Sequence, residues 1–158
     1  MDMKGKYWIL ILFAGAVFVA PSFAQGTRET KTEKMLKEIK APYKPFQGQN
    51  SFIVLYNGKE KKDIDLIAVE AGSGLAIFAD VAAGREVDLT LEVMHKLLEY
   101  NLKTDYIKIG ISDIGSIRVQ SEQNLILINS KAFSEILDQI AAGVDDVSRI
   151  LKPVYKAR

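Results

Sequence analysis

The sequence contains no cysteine. Disulfide staples, Cys/His nucleophile pairs and an acyl-anchored lipoprotein are therefore excluded together. It contains one histidine, His95. A metal cluster would need further His or Cys ligands, and a Ser/His/Asp arrangement has no recognisable context around that residue. Internal repeats and low-complexity tracts are also missing. The turn Ala71-Gly72-Ser73-Gly74 lacks the lysine, the glycine spacing and the following helix of a phosphate-cradling loop, and reads as a hairpin turn.

A further deficit is charge of one sign. The first residues, MDMKGKYWILILFAGAVFVAPSFAQG, have the layout of an export signal. Lys4 and Lys6 precede an uncharged apolar run from 7 to 20, Pro21 breaks it, and Ser22 and Ala24 place small residues before a cut. The run falls short of the ~18–20 residues that span a bilayer, which argues against a retained anchor. Residues 1–24 are expected to be a cleaved signal peptide, leaving a chain that starts at Gln25 and is periplasmic or secreted. Loss of Lys4, Lys6 and Asp2 leaves 19 of 21 basic and 19 of 20 acidic side chains. A neutral chain has no global field to steer it to nucleic acid or to an anionic membrane. Neither partner is expected, nor any cofactor or metal.

What is present is an α+β pattern. Thr30 and Glu33 form the S/T-x-x-E capping box of a short helix over 30–40, with Met35, Leu36 and Ile39 as its apolar stripe. That helix is too short to be stable alone and is expected to dock on the rest. APYKPFQGQN, with Pro42 and Pro45, reads as an extended linker. Three strands are predicted at 51–56, 64–70 and 75–81. Leu91, Met94, Leu97, Leu98 and Asn101 recur at helical spacing behind Asp88 or Thr90 as cap. Ile107, Ile109 and Ile111 alternate with Lys108, Gly110 and Ser112, and Ile117 and Val119 continue a hairpin with one wet face. Residues 125–128 either prolong its second strand or cross beneath the sheet. Phe133, Ile136, Leu137, Ile140, Val144, Val147 and Leu151 mark a long helix that Pro153 closes. Gly143 weakens it by about 1 kcal/mol relative to alanine and marks where it would bend. The organisation is then a signal over 1–24, a helix and linker over 25–49, and an α+β domain over 50–153. Its order is α-β-β-β-α-β-β-α, an antiparallel sheet covered by helices.

The first hairpin is unusual in being apolar on both faces. Simple register across the 71–74 turn puts Ile64, Leu66, Ala68, Leu75, Ile77, Ala79 and Val81 on the core face. The other face then carries Ile67 opposite Phe78 and Val69 opposite Ala76, bounded by Asp65 opposite Asp80. Such a face requires a cover. Three are open: the chain's own first helix with its APYKPF linker, a second copy of the protein, or an exogenous peptide or apolar ligand. Asp65, Ile67, Val69, Phe78 and Asp80 are thus the candidate partner-binding residues. The facing aspartates also invite an acid–base or calcium reading, although calcium takes more oxygen ligands than two carboxylates supply.

The segment LTLEVMHKLLEYNLKTDYIKIGIS, in which a helix ending Leu-Leu-x-x-Asn (Leu97, Leu98, Asn101) leads into a strand, a hairpin and a long C-terminal helix, resembles the YbjN-like family within the type III secretion chaperone-like fold. The resemblance spans about residues 30–153. It implies a non-enzymatic protein that forms a homodimer and holds extended polypeptide clients along its sheet and grooves. Secretion chaperones act in the cytoplasm and tend to be acidic, so an exported neutral chain transfers the surface and not the cargo. A small-molecule or lipid carrier and a small enzyme remain the alternative classes.

Overall fold

Thr30 opens the first helix, α1 (Lys31–Glu38), by accepting the Glu33 N–H on its side chain at 3.1 Å. The reciprocal half of the capping box is not formed; the Glu33 carboxylate turns instead to Lys37 and to the Tyr43 hydroxyl. The computed structural model describes residues 29–48 and 50–156. The expected signal peptide, residues 1–24, lies outside the described residues.

After α1 come β1 (Tyr43–Pro45), β2 (Ser51–Tyr56), β3 (Ile64–Ala71), β4 (Gly74–Ala83), α2 (Leu91–Lys103), β5 (Lys108–Ile111), β6 (Ser116–Asn124) and α3 (Ser130–Leu151). The strands form one antiparallel sheet in the order β1-β2-β3-β4-β6-β5. The α-β-β-β-α-β-β-α order is therefore present, with one addition. The proline-bearing linker is not merely extended: Tyr43 to Pro45 pair with Val54 to Phe52 and make a sixth strand. Proline is tolerated there because the strand is short and at an edge.

One face of the sheet is the core. Ile64, Leu66, Ala68, Leu75, Ile77, Ala79 and Val81 are all buried, as the 71–74 register requires. Against them lies α3, whose seven apolar positions from Phe133 to Leu151 are buried too. Full burial of each such side chain is worth about 1.5–3 kcal/mol, so this contact dominates the fold. At Gly143 the helix runs unbroken, because the missing side chain lets it approach the sheet. A Cβ there would stand 2.7 Å from Ile107 Cδ1 and 2.9 Å from Val119 Cγ1. The helical cost of glycine is offset by that close packing.

Polar side chains fix the periphery. Asp145 on α3 is buried and accepts the N–H groups of Lys59, Glu60 and Lys61 at 2.7, 3.1 and 2.8 Å, which ties down the β2–β3 loop. Burial alone would push its carboxyl up, but the three N–H groups and Arg149 outweigh it and hold it below the usual carboxylate range. Gly58 is required beside it, since a Cβ would fall 2.5 Å from Asp145 Oδ2. Tyr56 donates to Asp138 of α3 at 2.6 Å, and its burial, reinforced by that bond, pushes the phenol up to about 12. Residues 125–128 neither extend β6 nor cross beneath the sheet. They form a turn that buries Leu125 and Ile128 and exposes Ile126 and Leu127.

Candidate protein-docking surfaces

The outer face of the sheet is built from the alternate positions of the same strands. Pairing aligns Lys44, Ile53, Ile67, Phe78, Gln120 and Lys108 in one row across all six strands. Ser51, Val69, Ala76 and Glu122 form the next row. The structure thus brings Ile67, Val69 and Phe78 together and adds Ile53 and Leu55 to them. All are half-buried except Leu55, which is exposed.

The two aspartates fare differently. The β3–β4 ladder runs from Ile67↔Phe78 to Ala71↔Gly74 and stops short of them. Asp65 is instead opposite Leu55, and Asp80 is opposite Arg118. Arg118 grips the Asp80 carboxylate with two N–H groups, at 2.8 and 3.2 Å, while its guanidinium lies 4.0 Å over the Phe78 ring centroid. A paired carboxylate beside a cation does not make the facing acid–base or calcium pair that the sequence invited. Among the described residues no cluster of three His, Cys, Asp or Glu side chains is placed to hold a metal.

The chain's own first helix does not cover this face. Helix α1 sits on the opposite side, where Met35 and Leu36 enter the core and the Thr32 N–H and hydroxyl bond the Glu70 carboxylate at 3.0 and 2.7 Å. The APYKPF segment supplies β1 at the edge. An intramolecular lid from these two segments is therefore overturned. Its physical reason is that the apolar stripe of α1, Met35 and Leu36, is already buried in the core beside α3.

A larger exposed surface lies where the sequence suggested core. Helix α2, capped by Thr90, carries two apolar stripes. Val93 and Leu97 face inward and are buried, with Tyr100 half-buried behind them and bonded to Asp146 of α3 at 2.9 Å. Leu91, Met94, Leu98 and Leu102 face outward at 81, 38, 64 and 88% exposure. The isoleucines at and just before β5 diverge likewise: Ile107 is buried, Ile109 half-buried and Ile111 64% exposed, because the hairpin runs past the end of the core. Ile114 in its turn is 81% exposed. Between these stripes lies an apolar groove of about 210 Å³, lined by Met94, Leu97, Leu98, Ile109 and Ile111. The signal for this surface was in the sequence, since 91, 93, 94, 97, 98, 100 and 102 are more apolar positions than one buried face of a helix uses.

Asn101 completes the site and explains the last residue of Leu-Leu-x-x-Asn. Its side chain accepts the Ile109 N–H at 2.6 Å and donates to the Ile109 carbonyl at 3.0 Å. His95, by contrast, points to solvent with its side chain 73% exposed and 3.5 Å from Glu99.

No protein-family model and no curated protein matches the sequence. Solved structures do match the fold. The chain is similar to a chain of the heterodimeric complex ExoU-SpcU from the type III secretion system of Pseudomonas aeruginosa, with TM-score 0.58 and 15% identity over 77% of this chain and 98% of that one. It is also similar to a chain in the structure of the Yersinia pestis type III secretion chaperone SycH in complex with a stable fragment of a second protein, with TM-score 0.55 and 12% identity over 76% and 98%. The Escherichia coli protein YbjN, a putative transcription regulator, aligns over 82% of this chain and 96% of its own at 8% identity, with a TM-score of 0.49. The chain therefore has the type III secretion chaperone-like fold.

Proposed function

We propose that this is an exported, non-enzymatic protein-binding module that works as a homodimer, with a second copy docked on the α2–β5 surface and a polypeptide client on the outer face of β2–β4. The observation that carries the reading is the exposure of Leu91, Met94, Leu98 and Leu102 on one face of α2 and of Ile111 and Ile114 on the following hairpin, with Met94, Leu98 and Ile111 lining a groove between them. Large apolar side chains exposed together on one surface mark a protein-docking site. Protruding side chains and a groove on one surface suit a self-complementary, two-fold contact. One of the similar structures is a heterodimeric complex and another is a type III secretion chaperone in complex with a fragment of a second protein, which supports the client role. The export signal over 1–24 supports a periplasmic or secreted setting.

The rival classes have less behind them. At about 210 Å³ the open groove is smaller than the ~300–1,000 Å³ of ordinary ligand sites, which weighs against a lipid carrier. Among the described residues, exposed His95 has Glu99 as its ion-pair partner, and that pair in open solvent is no organised site for acid–base chemistry.

The test is sedimentation velocity of the protein purified from the native envelope, beside a Leu98→Asp/Leu102→Asp variant. A wild-type dimer that the variant dissociates supports the second-copy reading, and a wild-type monomer at tens of micromolar ends it. Terminal sequencing of the same material must begin at Gln25; an intact Met1 in membrane pellets contradicts export as a processed protein. For the client, tagged wild type and Phe78→Asp are compared for capture of a polypeptide from the envelope, and equal recovery by both removes the outer face from the reading.

A further inference from the structure

A sheet edge is a row of unpaired backbone groups to which any extended chain can add. At the β1 edge, the strand has three residues, one of them Pro45, and follows Pro42, so few N–H groups are offered. The β5 edge is also short and carries Lys108, but it has no proline to remove its N–H groups. Further cover there comes from α2 and the residue that caps it, Thr104. Asn101 bonds both the N–H and the carbonyl of Ile109, and the Thr104 hydroxyl donates to the Ile107 carbonyl at 3.0 Å. A side-chain amide carries the same donor and acceptor as a peptide group, so Asn101 fills the position that a neighbouring strand's backbone would take.

We propose that Asn101 is a specificity residue: by occupying the strand-pairing position beside β5, it bars strand addition at the docking surface and limits that surface to a second copy held by side-chain packing. This rests on the second-copy reading for the identity of the partner. The physical logic is one of closure. A side-chain contact between identical α2–β5 surfaces closes on itself in a two-fold dimer, whereas a free strand edge can also recruit unrelated extended segments or build open stacks. The groove beside Asn101 remains available for apolar side chains, while the backbone at its floor does not.

The experiment compares the full wild-type protein with Asn101→Val and Asn101→Ser, by sedimentation velocity over a concentration series and by hydrogen exchange at the Ile109 amide in the most dilute samples. Valine removes both bonds; serine removes them without adding apolar surface, and serves alone if the valine variant does not fold. Both variants are expected to form species larger than the wild type that grow with concentration, and to lose about tenfold in protection at Ile109. A folded Asn101→Ser protein with wild-type sizes at every concentration overturns the proposal. So does growth confined to Asn101→Val, which would trace the assembly to added apolar surface. A monomeric wild type would count against the second-copy reading alone, because the serine comparison still decides whether Asn101 guards the edge.

Discussion

The outer face of β2–β4 and the α2–β5 surface are both apolar, yet they differ in how the chain treats them. On the sheet, Ile53, Ile67, Val69, Ala76 and Phe78 shield one another, and Arg118 lies over Phe78 while holding Asp80. On the α2–β5 surface, Leu91, Leu98, Leu102, Ile111 and Ile114 stand out at 64–88% exposure and Met94 at 38%. An apolar residue pattern therefore marks what a surface is made of, and its neighbours decide how much of it meets water. The face that looked anomalous in sequence is the better protected one.

The largest effect that could break this comparison is on self-association. Leu98→Asp/Leu102→Asp should weaken it by about 100-fold or more, since charges would enter the centre of an apolar contact. The check is a sedimentation series alongside a thermal melt, which should stay near wild type because both side chains are exposed. A melt that collapses would show that the stripe supports the fold instead.

Next comes the tie on the β2–β3 loop. Asp145→Ala should cost about 2 kcal/mol in denaturant unfolding, through loss of bonds to the 59–61 loop. Because the folded carboxyl lies below its unfolded value, its contribution is whole above about pH 5 and fades as pH falls through the folded value. Hydrogen exchange in acid should therefore loosen the β2–β3 loop while the α2–β5 amides hold. Simultaneous loosening of both regions would dissolve the distinction.

Smaller still is Arg118→Ala, expected to cost about 1 kcal/mol and to raise binding of an apolar dye by uncovering Phe78. Unchanged dye fluorescence would mean that Arg118 shields nothing. Smallest is Phe78→Asp, expected to leave the oligomeric state unaltered; dissociation by that variant would move the second copy onto the sheet.

Much of the fold was legible along the chain. The 71–74 register, the Thr30 and Thr90 caps and the seven buried positions of α3 follow from local period and local hydrogen bonding, which act between residues close in sequence. The candidate site was legible only in part. Ile67, Val69 and Phe78 do share a face, but the facing pair of Asp65 and Asp80 extended a register that the ladder does not carry that far, with Asp80 held by Arg118, 38 residues away.

The sequence alone determined the order of the elements, their periods and the apolar character of both surfaces, because backbone geometry translates spacing directly into a face. Tertiary structure decided which faces stayed free. Helix α2 has two apolar stripes and could turn only one to α3, and β5 extends beyond the core it starts from. The prolines of the linker became a sheet edge, and Asn101 became the guard of another, through partners that no local spacing specifies. Exposure is a property of what packs against a residue, and that is settled only when distant segments meet.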